Sequence, residues 1–516
     1  MRANKTLLRS LLYAGSTVYM KGISLFMVPL VVSYLQPEQY GRLEYIGSFA
    51  ILLSVIVAYG LEDTLYRYAC SSASKLRAKT MASRIFGLVI LISLIFFALF
   101  SLLIPFYAEF INISPYLCLL LILSLSFEGL IAVPLGWMRI NDRFISYCSL
   151  NIGRATLQAL LTLYLLSRGH GLAGVFEASC LTTVLTGMIC LFIQKKDTGC
   201  TLSLRHSYVF IKYASPIVAG GLLAFCLNGF DRWMIAETAS LTDLAIYAVT
   251  CKFALALTIA MQPYGMWWSP TRFSLLDTSN KHQKATKFAL LGIYQVLLFS
   301  IGIASLAPLL IIYLFDSEFI ACISMLTPLL AAYAIKESAE FLNIGCYTTH
   351  STTSQMKVMF ISAVAGVLAM FVLAPMFSLI GIILSLLIAQ TTRTVLLYIY
   401  SQRQVNLDIA YGRMILLLVS SYVGIYVANQ VFISELTTNI HEDKLSLIIK
   451  TCLVTIFLAA TASIVFLVLF YKQLGICISH RSSENEYAHM LIFHFSSIKL
   501  IERVKKRTNK YKRGLA

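Results

Sequence analysis

Residues 43–69, LEYIGSFAILLSVIVAYGLEDTLYRYA, join a long apolar run to a group of charges. A helix needs about 20 apolar residues to cross the hydrocarbon core of a bilayer, and this run is long enough. Glu62, Asp63 and Arg67 follow at its end. The charges have two interpretations: they mark the point where a helix leaves the lipid, or they belong to a path for a charged cargo.

The rest of the chain repeats this apolar pattern. Its 516 residues are 58% hydrophobic and 13% charged, with a mean hydropathy of +0.78, whereas a soluble domain has about 25% charged residues. The composition therefore predicts an all-α polytopic membrane protein. The first run contains Lys21 and lacks a small-residue cleavage pattern, so we expect a span there and not a signal peptide. The twelve cysteines form no C-x-x-C pair, which argues against a zinc or redox motif.

The apolar runs predict about fourteen transmembrane helices. Their expected positions are 11–35, 43–66, 85–108, 116–138, 145–167, 172–194, 209–235, 244–268, 288–313, 322–347, 356–376, 379–400, 414–434 and 447–471. The eleventh and twelfth adjoin near Pro375, which is the least distinct boundary.

Basic residues predict the orientation. With the N-terminus in the cytoplasm, 30 of the 41 Lys and Arg residues lie on the inner side, counting Lys212 and Lys357 at the inner ends of their spans. Another 8 lie within spans or directly at their ends, and 3 lie on the outer side: Arg42, Arg168 and Lys444. Basic residues mark the cytoplasmic side, so we expect both termini there. The net charge of +17 is then mostly topological, facing anionic lipid headgroups, and does not indicate nucleic-acid binding. The basic tail has two interpretations, an amphipathic surface helix or a disordered segment.

An internal repeat divides the chain. The second and eighth spans begin similarly, with EQYGRLEYIGSFAILL and TDLAIYAVTCKFALAL. Two sets of six spans would have the same orientation, related by a pseudo-twofold axis along the membrane normal, as in transporters with parallel repeats. We expect an N-terminal lobe at 1–197, a C-terminal lobe at 198–405, an extra helix pair at 406–471 and a cytoplasmic tail at 472–516.

Charged residues within the spans are the candidate functional residues, because a charge near the bilayer centre costs at least about 2.5–3.5 kcal/mol. Lys and Arg bind phosphate and diphosphate groups, so the basic residues suit a cavity for an anionic cargo. The candidate cavity residues are Lys21, Arg67, Arg154, Arg232, Lys252, Arg272, Lys336 and Arg393. The acidic candidates for proton or sodium coupling are Asp63, Glu128, Asp231, Glu337 and Glu340.

Spacing along single helices predicts some ion pairs. Lys336 and Glu340 are four residues apart, so they can pair across one turn. Asp63 and Arg67 have the same spacing, and we assign Arg67 to the cargo path and Glu62 to the membrane interface. Such pairs either hold helices together or serve the cargo. The mid-span cations with no acid one turn away are Lys21, Arg154 and Lys252. We expect these three to be unpaired.

Catalytic motifs are missing from the sequence. It contains no P-loop, no G-x-S-x-G and no H-E-x-x-H. We therefore expect a protein that is not an enzyme and needs no cofactor. Transport would draw on an ion gradient, a cargo gradient or another protein.

Four stretches carry a resemblance to a known family. They are LQPEQYGRLEYI in the first outer loop, YGLEDTLYRYA at the inner end of the second span, NGFDRWMIAE closing the seventh and LAIYAVTCKFA opening the eighth. In order and spacing the chain resembles the bacterial Wzx-type O-antigen flippases, which belong to the multidrug/oligosaccharidyl-lipid/polysaccharide exporter superfamily.

The resemblance implies a flippase. It would move an isoprenoid-diphosphate-linked oligosaccharide, of the undecaprenyl type, from the inner to the outer leaflet of the bacterial cytoplasmic membrane by alternating access. The cavity residues implied are Lys21, Arg67, Arg154, Arg232, Lys252 and Arg272. Membrane lipids, a polysaccharide polymerase and chain-length proteins are the implied partners. Lipid II flippases use an extra helix pair as a groove for the lipid tail.

Three alternatives stay open. The first is a multidrug or lipid II-like exporter of the same superfamily; export of cationic drugs would favour an acidic cavity. The second is a membrane enzyme of polysaccharide assembly, for which the longest predicted outer loop, 435–446, is short. The third is a scaffold that recruits other proteins through its basic tail.

Overall fold

The computed structural model describes an all-helical protein. It describes residues 2–70, 74–110, 113–276, 281–347, 353–404 and 444–470, with a few residues between 412 and 426, and these ranges contain no strand. The α-helices are α1 (Arg2–Val32), α2 (Pro37–Ala58), α3 (Leu61–Cys70), α4 (Lys75–Leu102), α5 (Ile104–Phe110), α6 (Pro115–Ile140), α7 (Phe144–Ser167), α8 (Gly171–Thr198), α9 (Leu204–Asn228), α10 (Phe230–Thr238), α11 (Leu241–Leu276), α12 (Lys281–Leu314), α13 (Cys322–Leu342), α14 (Thr353–Gln402) and α15 (Lys444–Phe470). Two short 3-10 helices, Ser317–Ala321 and Ile344–Tyr347, flank α13.

The described helices agree with the predicted spans. Within the described residues, eleven helical segments are long and apolar enough to cross a membrane. The segment Ser354–Gln402 contains the eleventh and twelfth predicted spans and changes direction at Ser378, whose φ is 51° and ψ is −128°. α7 contains the fifth predicted span. Most of the thirteenth, 414–434, lies outside the described residues, as does the tail beyond Phe470.

Local sequence explains where several helices begin. The side chains of Ser74 and Ser114 accept hydrogen bonds from the backbone N–H groups of Arg77 and Leu117, which would otherwise lack acceptors. Pro115 then occupies the first turn of α6, where its missing N–H costs nothing.

The second and seventh predicted spans are each divided into two helices at a glycine. The second is divided between α2 and α3 at Tyr59 and Gly60, both with positive φ, 44° and 62°. Gly60 adopts this conformation readily because it has no Cβ. The seventh span is divided between α9 and α10 at Gly229. Each break places charged residues, Asp63 and Asp231, in the first turn of the helix that follows.

The side that carries Arg42 and Arg168 is called the predicted outer side below. There, α2 and α11 pack closely: a Cβ on Gly41 would lie 1.8 Å from the carbonyl oxygen of Leu241. Around this contact lies an apolar cluster contributed by α1, α2, α11, α12, α13 and Ser317–Ala321; its fully buried members include Ala245, Val249, Ile323 and Leu326. Small side chains and buried branched ones therefore bring the second and eighth predicted spans together.

The linker after α8 is fastened at the opposite side. Thr201 bonds Ser83 of α4 through both its backbone N–H (3.3 Å) and its hydroxyl (3.1 Å). Arg84 and Ser203 contact the two ring nitrogens of His206 at 2.8 and 2.9 Å. The beginning of α9 is thereby attached to α4, and its Phe210 is buried in a cluster with residues of α3, α4 and α6.

The contact at Gly41 gives a testable prediction. Gly→Ala inside a helix normally stabilises it by up to about 1 kcal/mol. In G41A the new methyl group would force the α2 and α11 backbones apart, so we expect a loss of about 1–3 kcal/mol and a lower melting temperature in detergent. Gly47 of the same helix has nothing within 4 Å of its Cβ position, so G47A is the matched control. A G41A protein as stable as G47A would contradict this packing.

Candidate functional site

A four-residue charge cluster lies near the predicted outer side. Glu44 of α2 contacts Lys252 of α11 at 3.0 Å and Arg232 of α10 at 3.5 Å. Arg232 also contacts Asp231 at 3.3 Å. The exposed fractions of the Glu44, Arg232 and Asp231 side chains are 13%, 12% and 5%. Two acids and two bases thus neutralise one another in a largely buried place.

Tyrosines and a tryptophan support this outer cluster. Tyr40 donates a hydrogen bond to Glu44 (3.2 Å), and Tyr247 donates one to Asp231. Trp233 donates its indole N–H to Ser48 of α2 (2.7 Å) and stacks on Phe49 with the ring centroids 4.5 Å apart. These contacts join α2 to α10 and α11, and so link the N-terminal and C-terminal halves of the sequence.

The structure therefore corrects one expectation about the cluster. Lys252 was predicted to be unpaired because no acid lies one turn away on its own helix. Its carboxylate partner, Glu44, comes from α2. Of the predicted site residues, the structure brings Asp231, Arg232 and Lys252 together, and it adds Glu44, which the sequence had not assigned to the site.

A second network joins the ends of α11, α13 and α14. Arg393 pairs with Glu340 at 2.6 Å. The other Glu340 oxygen accepts from the Asn343 amide (2.9 Å), and the Asn343 oxygen accepts from Arg272 (3.0 Å). Trp268 donates to the backbone carbonyl of Glu340. The predicted pairing of Lys336 with Glu340 is wrong, because Arg393 and Asn343 occupy this carboxylate.

Three half-buried cations contrast with these pairs. Among the described residues, no carboxylate forms an ion pair with Lys21, Arg154 or Lys336. Arg154 donates to the hydroxyl of Thr183 (3.1 Å) and Lys336 to the amide oxygen of Asn228 (3.1 Å). Lys336 lies within electrostatic range of Lys21 and also of the carboxylates Glu337 and Glu340, although it forms an ion pair with neither acid. Lys21 and Arg154 are on α1 and α7, which pack together and share a Tyr19–Thr156 hydrogen bond.

Two half-buried carboxylates also form no ion pair among the described residues, although Glu337 lies within electrostatic range of Lys336. Glu337 accepts from Thr258 at 2.7 Å. Glu128, in the middle of α6, has neither a hydrogen bond nor an ion pair in the described part of the chain. The other acidic candidates differ: Asp231 and Glu340 are held in the two networks, and Asp63 is exposed.

The charged residues at the end of the stretch 43–69 have different partners from those predicted. Asp63 and Arg67 are both exposed, and no ion pair joins them within the described residues. Glu62 is no simple interfacial residue: it contacts Arg139 of α6 at 3.4 Å and accepts from Tyr66 at 2.6 Å. Arg139 lies in a predicted inner loop, so spacing within the second span could not reveal this pair.

Comparisons with known proteins are consistent with this fold. A family model described as "Polysaccharide biosynthesis protein" matches residues 9–276. Among solved structures, the lipid II flippase MurJ in an inward closed conformation has a TM-score of 0.66 at 14% identity, covering 90% of this chain and 99% of that one. An inward-facing multidrug resistance MATE family transporter of the MOP superfamily has a TM-score of 0.54 at 14% identity, covering 75% and 94%. No curated protein matches the sequence.

The outer cluster predicts a large effect for Glu44. E44Q leaves Lys252 without its counter-charge and Arg232 with only Asp231, and removing one member of a buried ion pair costs about 3–5 kcal/mol. We expect a much lower melting temperature in detergent. Adding K252M should recover part of the loss, because the uncompensated charge is then gone.

E38Q is the control for E44Q. Glu38 lies on the same helix and pairs with Arg42 at 3.7 Å, but its side chain is 65% exposed. A surface pair of this kind is worth about 0–1 kcal/mol, so E38Q should melt close to the unmodified protein. Equal melting temperatures for E44Q and E38Q would show that the cluster does not hold the helices together.

Proposed function

This chain belongs to the polysaccharide biosynthesis protein family, and from that premise we propose that it is a flippase for an isoprenoid-diphosphate-linked oligosaccharide. It moves this cargo, a repeat unit of O-antigen, capsule or exopolysaccharide, from the inner to the outer leaflet of the bacterial cytoplasmic membrane. The family and the MurJ- and MATE-like fold support a transporter and not an enzyme.

One observation carries the proposal: Lys21, Arg154 and Lys336 are basic residues of predicted membrane spans that form no ion pair with a carboxylate among the described residues. An uncompensated charge there is expensive, so a stable protein normally neutralises it, as it does at Lys252 and Arg393. Cations left unpaired are suited to a diphosphate, whose oxygens accept charge-assisted hydrogen bonds. Lys21 and Arg154 belong to the proposed lobe 1–197 and Lys336 to the proposed lobe 198–405, and the electrostatic interaction of Lys21 with Lys336 supports a cationic site shared by the two lobes.

The outer cluster supplies the closure that alternating access needs. Glu44 binds residues of α10 and α11, so releasing cargo outside requires Glu44 to leave Lys252 and Arg232. In this function the two cations hold the outer side shut while the cargo occupies the other cations. Arg272 and Arg393, paired within the second network, then stabilise the C-terminal lobe and do not bind cargo directly.

The inner side would receive the cargo. Arg67 is exposed on the short α3 helix, which suits a first contact with a phosphate arriving along the inner leaflet. Most Lys and Arg residues of the segments between the spans lie on the predicted inner side, which supports both termini in the cytoplasm. The extra pair, 406–471, would accommodate the lipid tail, and the basic tail, 472–516, would meet anionic lipids or assembly proteins.

We assign coupling to an ion gradient to the two carboxylates that form no ion pair among the described residues, Glu128 and Glu337. A carboxyl group in the middle of a spanning helix can bind a proton without breaking an existing ion pair. Asp231 and Glu340 are poorer candidates, because protonating them would dissolve the networks at Arg232 and Arg393.

The MATE-like fold favours one second candidate, a multidrug exporter. Cationic drugs would be repelled by Lys21, Arg154 and Lys336. Binding of a diphosphate lipid and a cationic dye to the same purified protein separates the two functions, because each predicts the ligand that the other excludes.

The unpaired cations predict transport defects. K21Q, R154Q and K336Q each remove a charged donor, so we expect about ten- to hundredfold weaker binding of an isoprenoid diphosphate, since such bonds contribute about 1.5–3 kcal/mol. Surface polysaccharide should fall in a strain that lacks the native gene. R42Q, at an exposed outer position, is the control. Normal export by all three variants at equal protein level would refute the assignment.

Glu128 gives a separate prediction about coupling. In proteoliposomes, an imposed pH gradient should accelerate flipping by the unmodified protein, and E128Q should lose this acceleration because Gln cannot bind the proton. E109Q changes an exposed carboxylate of α5 and should keep it. An E128Q protein that responds fully to the gradient would exclude Glu128 as the coupling group.

A further inference from the structure

Asn228 is the last residue of α9, immediately before the break at Gly229. Its amide nitrogen donates to the backbone carbonyl of Ala224 (2.9 Å), one turn earlier. Its amide oxygen accepts from the ammonium group of Lys336 (3.1 Å). The first bond fixes the amide so that the oxygen, and not the nitrogen, faces α13. Asn228 therefore presents its amide oxygen to a cation on α13.

The contact differs from the ion pairs of Lys252 and Arg393. Lys252 and Arg393 are held by carboxylates that cancel their charge. Lys336 is held by a neutral amide oxygen, and the face of Tyr333 lies 5.3 Å from its ammonium group. Both can orient an ammonium ion, by hydrogen bonding and by cation–π attraction, without neutralising it.

The acids on the same helix do not replace Asn228 as partners of Lys336. Glu337 accepts from Thr258, and the two oxygens of Glu340 are bound by Arg393 and Asn343. Lys336 thus forms no ion pair with either acid, although both carboxylates lie within electrostatic range of it.

We propose that Asn228 is a positioning residue, which aims Lys336 at the cargo diphosphate without engaging it in an ion pair. This inference rests on the proposed function and adds a role for Asn228 that requires its side chain to be uncharged. An acid at this position would hold Lys336 as well or better, yet it would form an ion pair with the ammonium group and so compete with the diphosphate. A merely structural role would tolerate or prefer the acid, so Asn228→Asp separates the two roles.

The experiment uses the purified full-length protein in detergent and farnesyl diphosphate as the probe. N228D should bind the probe at least about tenfold more weakly, as K336Q does, because both remove the free cation. Its melting temperature should be unchanged or higher. N228Q retains a neutral amide and should bind more tightly than N228D. The double variant N228D/K336Q should bind no more weakly than K336Q alone.

Asn141→Asp is the matched control. Asn141 also ends a helix region and donates its amide to the carbonyl one turn earlier, that of Trp137, at 2.8 Å. N141D therefore loses the same local bond with no lysine involved, and should bind the probe normally. Farnesol and inorganic pyrophosphate, measured in parallel, show whether the lipid, the diphosphate or both are recognised; the inference requires the N228D effect with pyrophosphate or farnesyl diphosphate and none with farnesol.

The outcomes distinguish this inference from the proposed function. If K336Q weakens binding but N228D does not, the role of Asn228 is wrong and the cationic site stands. If neither variant changes binding, the cationic site itself is wrong at Lys336. If N228D weakens binding only together with a lower melting temperature that N141D lacks, Asn228 is structural and the inference fails.

Discussion

An ionised side chain in hydrocarbon lacks the water that would solvate it, and the rest of this structure depends on how that cost is met. A basic residue can be neutralised by a carboxylate from another helix, or it can be left for a charge that comes from outside. Both solutions occur in the described residues. Lys252 and Arg393 have carboxylate partners, whereas Lys336 and Arg154 bind only neutral oxygens.

The carboxylate solution also fixes helices relative to one another. Glu44 holds α2 to α10 and α11 near the contact between Gly41 and Leu241. An ion pair of this kind is strong while water is excluded and weak once water enters, because the effective dielectric constant rises. Opening at the predicted outer side would therefore lower the energy needed for further opening. A cluster of buried ion pairs favours two distinct states, closed and open, over a gradual series.

The fold could be predicted from the sequence far better than the site. A spanning helix is a local property of about 20 residues, so the runs around residues 85–108 and 288–313 predict helices without knowledge of their neighbours. The break in the second span is also local, because Gly60 has no Cβ and adopts a positive φ readily. Ion pairs between helices are not local: spacing along one helix detects only contacts across a turn, and it wrongly joined Lys336 to Glu340. The true partner of Glu340 is Arg393, 53 residues away in the chain.

Neutral partners have a consequence beyond orientation. A cation already paired with an acid can bind a phosphate only by first losing that acid. The free energy of breaking the ion pair then offsets part of the free energy of binding the phosphate. A cation held by an amide or a hydroxyl loses much less, because the neutral oxygen interacts more weakly than a carboxylate. Asn228 and Thr183 thus keep Lys336 and Arg154 oriented and still attractive to an anion. In a membrane protein with a cationic cavity, the chemistry of the group that holds each basic residue distinguishes residues that stabilise the fold from residues available to the cargo.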